Sequence, residues 1–240
     1  MSTQPDGAGI AARLAEVRVR IAEAEARAGR SPGGVLLVAV SKTVPPAAVA
    51  AAVAAGQRVF GENRVQEAVA KAAACGPGPV WHLIGHLQRN KAKEAARLFD
   101  VVESLDSSEL AGDLDRRARE AGRRLRVLVQ VKLGGEATKS GVVPEAAPAL
   151  IEAAARLPHL DVAGLMTIPP PSPTPEGSRP WFALLRELRE RWDGTCCPRG
   201  TLRELSMGMS DDYEVAIDEG ATIVRVGTAI FGSRAQAAPG

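Results

Sequence analysis

The chain has 240 residues, of which 45% are hydrophobic and only 3% aromatic, and its formal net charge is +2. This length fits one large α/β domain or two small ones, with enough apolar residues for a sizeable core. The scarcity of aromatic rings argues against a base-stacking surface, and the small net charge does not point to a nucleic-acid partner.

The cysteine pattern and the hydropathy limit the class of protein further. Cys75, Cys196 and Cys197 form neither a disulfide framework nor a Cys/His zinc pattern. A catalytic thiol is disfavoured, because no histidine lies near the adjacent pair in the sequence. There is no signal-peptide core and no apolar run of the ~20 residues that span a bilayer. We therefore expect a reduced, cytoplasmic protein without a membrane segment.

Residues 1–8 are expected to form a disordered lead-in. Ile10, Leu14, Val17 and Ile21 then recur at helical spacing, which predicts a first amphipathic helix that docks on the protein's own core.

The segment Val35–Pro46 (VLLVAVSKTVPP) is an apolar run ended by two prolines. Such a run is typical of a strand buried on both faces, as in a parallel sheet. Lys42 would then lie where the strand opens into a loop. Partial desolvation there would lower the pKa of its ammonium and favour the nucleophilic free amine of a Schiff-base lysine. Taken alone, the segment is at least as compatible with a rim lysine whose charged end reaches water.

Seven further strands are predicted, six of them followed by a helix. The predicted strands are Arg58–Gly61, Val80–Ile84, Asp100–Glu103, Leu125–Val131, Leu160–Met166, Leu202–Met207 and Thr222–Val226. A proline-rich loop is expected at 168–180, and helices are expected near 46–55, 65–74, 90–98, 109–122, 144–157, 181–192 and 211–219. The last strand leads into a short polar tail.

Eight strands alternating with helices indicate either a doubly wound sheet or a closed barrel. The count of eight, and the lack of a Gly-x-Gly-x-x-Gly turn after the first strand, favour a single (β/α)8 TIM-type barrel with an extra N-terminal helix. The barrel is expected to span residues 9–234, with a flexible tail at 235–240. A barrel gathers the strand ends at one rim, where we expect to find Lys42, Asn63, His86, Lys132, Met166, Ser206 and Arg225.

The loops after the last two strands have the composition of a phosphate site. Residues 206–210 (SMGMS) follow the seventh strand, and Gly227-Thr228 follows the eighth, where barrels of this type bind phosphate. Glycines let backbone amides approach an anion, and the hydroxyl groups add donors. Asp211 and Asp212 would repel an anion on the axis of the next helix, so either they point away or the phosphate lies on the Gly227 side. A plain N-cap and a tight turn remain the alternative.

A lysine and a phosphate site on one rim indicate an aldehyde-bearing phosphate held as an imine, and pyridoxal 5'-phosphate (PLP) has both groups. An arginine, Arg225, at the pyridine nitrogen would keep that nitrogen unprotonated and make the ring a poor electron sink. Racemisation or simple carriage of the cofactor would then be favoured over decarboxylation or transamination. Lys132 and Lys139 are second-choice imine lysines. A metal site at His82 and His86 is disfavoured, because the strand pattern does not place them on one helical face.

Seven motifs along residues 10–234 connect the chain to a known family. They are AVSKT (39–43), FGENRVQE (60–67), WHLIGHLQRNK (81–91), KSG (139–141), GLMTI (164–168), LSMGMSDD (205–212) and VRVGTAIFG (224–232). In these motifs and their order the chain resembles the pyridoxal phosphate homeostasis proteins, whose fold is that of the alanine racemase N-terminal barrel. Arg89 and Lys132 depart from the small polar residue and the asparagine that are common in the family.

The resemblance implies a covalent imine between PLP and Lys42, a ring-side contact from Asn63, and Arg225 at the ring nitrogen. The implied phosphate contacts are Ser206, Gly208, Gly227 and Thr228. The resemblance further implies a cytoplasmic, monomeric protein that acts in intracellular vitamin B6 balance and PLP delivery, without an established catalytic reaction. Its implied partners are PLP and, transiently, PLP-dependent apo-enzymes.

Three functions remain open, and we favour the non-enzymatic PLP carrier. The second is a weak one-base amino-acid racemase using Lys42, and the third is a class I aldolase-type barrel. Two-base racemisation needs a second acid or base, and Tyr213, the sole tyrosine, is poorly placed for that role. Lys71, Lys91 and Lys93 are candidates for a second, non-covalent cofactor site.

Overall fold

The computed structural model describes residues 7–134 and 140–232. Eight parallel strands form a closed barrel in which each strand pairs with its neighbours in sequence and the last strand pairs with the first. The predicted (β/α)8 barrel with an extra N-terminal helix is confirmed. The strands are β1 (Leu36–Val40), β2 (Val59–Glu62), β3 (Val80–Leu83), β4 (Val101–Leu105), β5 (Leu125–Gln130), β6 (Leu160–Met166), β7 (Glu204–Ser206) and β8 (Ile223–Val226).

Every strand is followed by a helix, and an additional helix precedes β1. The helices are α1 (Gly7–Arg27), α2 (Pro46–Ala54), α3 (Val65–Cys75), α4 (Ala92–Leu98), α5 (Ser108–Glu120), α6 (Ala147–Ala155), α7 (Arg179–Trp192), α8 (Tyr213–Asp218) and α9 (Thr228–Phe231). Short 3-10 turns precede α4 and α7. Among the residues described, no helix combines the length and apolarity needed to cross a bilayer.

Helix α1 packs against α2, α8 and α9, and so covers the part of the barrel where β8 meets β1. It begins at Gly7, so residues 7 and 8, assigned to the lead-in by sequence, are helical. Glycine and alanine carry no periodic apolar signal, so the first helical turn could not be read from spacing. The predicted tail at 235–240 lies outside the described residues.

Among the other differences from the predicted boundaries, three have a clear physical reason. Strand β4 extends beyond the predicted end at Glu103 to Leu105, because the polar Ser104 is fully buried, which the sequence does not signal. Strand β7 is limited to Glu204–Ser206, since Leu202 is held in a loop by the carboxylate of Asp193. Helix α9 follows β8 in place of a direct polar tail, and its single turn is too short for a periodic pattern.

The barrel has two apolar cores. The larger one lies between the strands and the helices, where the rings of Phe60, Phe99 and Phe182 are fully buried. The smaller one lies inside the barrel and contains Val38, Val101, Leu128, Ala163, Met166 and Ile223. Met166, the last residue of β6, is therefore fully buried in the barrel interior and not open at the mouth. Burying one large apolar side chain contributes about 1.5–3 kcal/mol, so both cores support the strand ends that carry the site.

Candidate functional site

Strand register brings the segments after β8, β1 and β2 side by side. Ala39 pairs with Val226, and Val40 pairs with Gly61. Parallel strands that are in register end at the same rim, so Thr228, Lys42 and Asn63 follow three adjacent strands there. Lys42 and Thr228 are exposed, and Asn63 is half-buried. The partial desolvation predicted for Lys42 is not found, because the described residues leave its side chain open to solvent.

The turn that carries Lys42 has an unusual backbone. Thr43 has a φ of 61° and is the one non-glycine residue with positive φ in residues 7–134 and 140–232. A β-branched residue is disfavoured in this left-handed region, so surrounding contacts must hold the turn. Two such contacts are the amide of Thr43, which donates to Glu67 Oε2 at 3.0 Å, and the amide of Val44, which donates to Ser41 O at 2.9 Å.

A buried ion pair lies behind this turn. Lys71 Nζ is 2.7 Å from Glu62 Oε1 and 2.5 Å from Ser41 O, and the Ser41 hydroxyl donates to the same carboxylate oxygen at 2.5 Å. Glu67 Oε2, which binds the turn amide, is 3.6 Å from Lys71 Nζ. We call Ser41, Glu62, Glu67 and Lys71 the Lys71 cluster. Through its contacts with Ser41 and with the amide of Thr43, the cluster supports the backbone on both sides of Lys42.

The Lys71 cluster was not predicted, and it corrects one expectation. The side chain of Lys71 is 5% exposed, so it is not free to form a second cofactor site. Burial raises the pKa of Glu62, and hydrogen bonds from Lys71 and Ser41 only partly offset that rise. Glu62 Oε2 is buried and has no hydrogen-bond partner among the residues described.

Arg225 lies inside the barrel at the end of β8 and is 3% exposed. Its guanidinium donates to Ser206 Oγ at 2.6 Å and to Thr167 O at 2.7 Å. Burial lowers the pKa of Arg225, while the carboxylates of Glu103 and Asp212 act in the opposite direction. The structure therefore provides a fixed, buried cation at the rim end of the barrel interior.

Ser206 is held in this interior network. Its hydroxyl donates to Glu103 Oε2 at 2.5 Å and accepts from Arg225. These bonds use its only donor, so the phosphate contact predicted for the Ser206 hydroxyl does not agree with the observed geometry. The sequence could not reveal this, because the partner Glu103 is 103 residues away in the chain.

The two predicted phosphate loops meet through Ser210. The amides of Gly227 and Ala229 point to Ser210 Oγ, at 3.1 and 3.5 Å. Two amides at the start of a helix that converge on one oxygen have the geometry of an anion site. Asp212 Oδ1 accepts from the amide of Met209 at 2.7 Å, so this carboxylate is turned into its own loop.

Gly208 shapes the loop after β7. Its φ is 90°, and an added Cβ would lie 2.6 Å from the Cβ of Ala216 and 2.9 Å from the Cα of Tyr213. Only glycine fits this close approach between the loop and helix α8. The space at Gly227 is less restricted, because a Cβ there would lie 3.3 Å from Val40 O, a distance that a small shift relieves. The close approach therefore requires glycine at position 208 and only favours it at position 227.

Other predicted rim residues are not part of this arrangement. His86 is exposed and pairs with Asp106 at 3.2 Å, whereas His82 is buried inside the barrel, so the two histidines do not form a pair. Lys132 is half-buried and its amide donates to Val142 O. Lys139 lies outside the described residues. Within the described ranges, no cluster of three or more His, Cys, Asp or Glu residues could hold a metal ion.

Comparison with known proteins identifies first the class and then the family. Residues 13–235 match the family model of the alanine racemase N-terminal domain, so the barrel and its rim define that class. The alanine racemase of Corynebacterium glutamicum has a TM-score of 0.66 at 18% identity over 97% of this chain and 63% of that one, a likeness of fold alone.

Two closer relatives define the family. The pyridoxal phosphate homeostasis protein of Pseudomonas aeruginosa is 48% identical over 231 residues, 96% of this chain and 98% of the relative. PipY of Synechococcus elongatus, solved with PLP bound, is 43% identical with a TM-score of 0.81, over 93% of this chain and 100% of that one. The chain belongs to the pyridoxal phosphate homeostasis protein family.

Proposed function

We propose that this protein binds PLP as an imine on Lys42 and acts in PLP homeostasis and delivery, without catalysing a reaction of its own. The observation that carries the proposal is the order of groups on adjacent strands. A buried guanidinium (Arg225) and converging amides (Gly227 and Ala229) lie on β8 and its loop, and the amine of Lys42 follows β1. The similarity to PipY, which was solved with PLP bound, supports the same ligand.

The residues present fit PLP by their chemistry. An amine, a hydrogen-bond donor for a ring nitrogen, and amides at a helix start match its aldehyde, pyridine and phosphate groups. Lys42 would hold the aldehyde carbon, Arg225 the ring nitrogen, and the loop of Gly227 and Thr228 the phosphate. Asn63 would contact the ring from the β2 side. Gly208 has no side chain that could donate a hydrogen bond. Its role would be to let the loop pack closely against helix α8 and so shape one wall of the phosphate site.

When bound, PLP supplies an aldehyde that condenses with amines and a ring that withdraws electrons from them. Arg225 limits the second property, because a cation beside the ring nitrogen disfavours its protonation. The Lys71 cluster holds the backbone on both sides of Lys42, at Ser41 and Thr43, and would so hold the point from which this side chain extends. Ser206 orients Arg225 rather than the phosphate.

A non-catalytic role is supported by the surroundings of the candidate acids and bases. Racemisation through two bases needs a second proton-transfer group opposite Lys42. Tyr213 is 1% exposed and belongs to the larger core between the strands and the helices, where its ring lies against Arg20, so it is buried away from solvent at the rim. The weak one-base racemase using Lys42 remains the second candidate, and its fold likeness to alanine racemase is its only support.

The visible spectrum of the purified protein after reconstitution with PLP tests the proposal. We expect an imine absorbance band that Lys42→Ala abolishes, and the matched control Lys132→Ala should keep it. A wild-type protein that stays colourless would overturn the proposal. Deuterium incorporation at the α-carbon of alanine from D₂O would instead support the racemase.

The remaining family-derived expectations are part of the same proposal. We propose that the protein is monomeric and cytoplasmic, with PLP-dependent apo-enzymes as transient partners. Light scattering at several protein concentrations tests the first point, and a mass that doubles with concentration would refute it. Transfer of PLP to an apo-enzyme, measured as a gain of that enzyme's activity faster than free PLP allows, tests delivery.

A further inference from the structure

A cavity of about 470 Å³ lies at the N-terminal mouth of the barrel, at the opposite end from the rim that carries Lys42. One side of this cavity is aliphatic and is formed by the first residues of four neighbouring strands, Leu36, Val59, Val80 and Val101. Pockets for small molecules commonly have volumes of about 300–1,000 Å³ and a largely apolar lining with a few polar groups. The size and the aliphatic side of the cavity therefore suit a small organic molecule.

The aliphatic side is open to solvent. Leu36 is 40% exposed, and Val59 and Val80 are half-buried. No described helix covers these strand starts, since none contributes to the lining of the cavity. Removal of apolar surface from water is favourable, so an aliphatic ligand would be stabilised by contact with these side chains.

The opposite side of the cavity carries more positive than negative charge. Three arginines, Arg123, Arg124 and Arg126, line it together with two aspartates, Asp100 and Asp161. The excess of one positive charge matches a single carboxylate better than a dianionic phosphate.

The contacts of two of these arginines leave guanidinium nitrogens unused. Arg126 donates through Nε to Asp161 Oδ2 at 3.2 Å, and Arg124 donates through Nε to Leu160 O at 3.0 Å. The terminal nitrogens of Arg124 and Arg126 donate no hydrogen bond to a described residue. A guanidinium that is held at Nε still presents its two terminal nitrogens as a fork, and this fork fits a carboxylate.

Stabilisation of the strand starts accounts for only part of this arrangement. Arg126 and Arg203 both contact Asp161 Oδ2, at 3.2 and 3.4 Å, which ties together the starts of β5, β6 and β7. Such contacts are typical of the stabilising face of a barrel. Arg124, in contrast, has no carboxylate partner in residues 7–134 and 140–232. Its positive charge is therefore left for a group from outside the chain.

His82 lies deeper in the same cavity. Val80 and His82 are two residues apart on β3, so they face the same side of the sheet, and His82 is one layer further in and 3% exposed. Its Nδ1 is 2.6 Å from Glu103 Oε1, which fixes the ring, whereas its Nε2 makes no hydrogen bond with a described residue. A polar atom at this depth is costly unless it is hydrogen-bonded, so Nε2 is a further contact point for a polar group of a ligand.

We propose that the N-terminal mouth is a second ligand site, which binds a small carboxylic acid with an aliphatic body. The carboxylate contacts the terminal nitrogens of Arg124 and Arg126, and the aliphatic body packs against Leu36 and the neighbouring valines. No aromatic ring other than the imidazole of His82 lines the cavity, so a nucleotide base would find little to stack on. The site lies at the opposite end of the barrel from Lys42 and is independent of the proposed PLP site.

Isothermal titration calorimetry of the full-length protein with 4-methylpentanoate tests the site. We expect one molecule bound per chain, with the same affinity before and after reconstitution with PLP. R124M and R126M should each weaken binding about tenfold, because each removes charge-assisted hydrogen bonds to the carboxylate. L36S should weaken binding about threefold, because it removes part of the aliphatic wall.

The matched control is Arg119→Met, which removes the same charge from an exposed position on α5 outside the cavity lining. R119M should bind 4-methylpentanoate within twofold of wild type. Acetate, which lacks the aliphatic body, and inorganic phosphate should both bind at least about tenfold more weakly than 4-methylpentanoate.

Several results would overturn the proposal. They are an absence of saturable binding to the wild-type protein, an equal loss in R119M and R124M, and acetate or phosphate binding as tightly as 4-methylpentanoate. Loss of binding after reconstitution with PLP would also overturn it, because the acid would then occupy the rim at Lys42. A protein that binds the acid in the expected pattern but forms no PLP band would contradict the proposed function and leave the site at the N-terminal mouth intact.

Discussion

Replacing Lys71 with methionine tests whether a buried ion pair holds the turn that carries Lys42. The two side chains are 5% and 0% exposed, and their charged atoms are 2.7 Å apart. Methionine has a similar length and no charge, so K71M changes the electrostatics more than the packing. The Glu62 carboxylate would then be buried with no cation, and its second oxygen already has no partner among the described residues.

K71M is expected to lose a large part of the protein's free energy of unfolding. Removing one partner of a buried ion pair costs about 3–5 kcal/mol, and typical unfolding free energies are about 5–15 kcal/mol. We expect the upper part of that range, because Lys71 also donates to Ser41 O at 2.5 Å. The double variant K71M/E62Q removes the unpaired charge as well, so its loss should fall to about 1–2 kcal/mol.

The loss should depend on pH. Folding raises the pKa of Glu62, mainly through burial. A carboxyl group of this kind stabilises the folded state below its unfolded pKa of about 4.3 and loses that contribution as pH rises through the folded value. Without Lys71 the folded pKa rises further. The deficit of K71M should therefore be larger at neutral than at mildly acidic pH.

Urea unfolding followed by tryptophan fluorescence measures these differences. Lys93→Met is the matched control, since Lys93 is exposed and should change stability by no more than about 0.5 kcal/mol. A K71M deficit below about 1 kcal/mol, or the same deficit at both pH values, would contradict the buried-pair interpretation. A K71M/E62Q deficit equal to that of K71M would show that the unpaired charge is not its cause.

Two further predictions concern Gly208 and Glu103. G208A should destabilise the protein by about 2–4 kcal/mol and weaken PLP retention, whereas G29A, with positive φ but open space, should cost only about 1 kcal/mol in thermal unfolding. Folding lowers the pKa of Glu103, so its stabilising contribution exists above the unfolded pKa of about 4.3 and is lost as pH falls through the folded value. E103Q should lower the free energy of unfolding at neutral pH by about 3–5 kcal/mol, because the buried charge of Arg225 loses its counter-ion. The free energy of unfolding of E103Q should also fall less steeply than that of wild type as the pH is lowered. The same pH dependence in E103Q and wild type would contradict this role.

The sequence predicted the fold well because a (β/α)8 barrel repeats one simple pattern. Continuous apolar runs marked the buried strands, and proline and glycine marked helix ends, as at Pro46, the first residue of α2, and Gly56, just after α2. Predicted strand ends were wrong where a polar residue is buried in the barrel. Strand β4 continues beyond its predicted end at Glu103 through the buried Ser104, whose hydroxyl donates to Gly85 O just after β3.

The candidate site was predicted only in part, and for a related reason. Strand order brings Lys42, Asn63 and Thr228 to one rim, and the sequence is sufficient to infer this. The groups that support them, such as Lys71 and His82, depend on contacts between distant strands and helices. A buried lysine in an alanine-rich helix and a histidine in an apolar strand have no spacing rule that distinguishes them from ordinary surface or core residues.

The most direct test of the central claim is the position of the covalent link. The PLP-reconstituted protein is reduced with borohydride, digested, and analysed by mass spectrometry. We predict one phosphopyridoxyl adduct, on the peptide that contains Lys42, and no adduct in the Lys42→Ala variant. An adduct on Lys132 or Lys139, or an unmodified Lys42 in the coloured protein, would contradict the account.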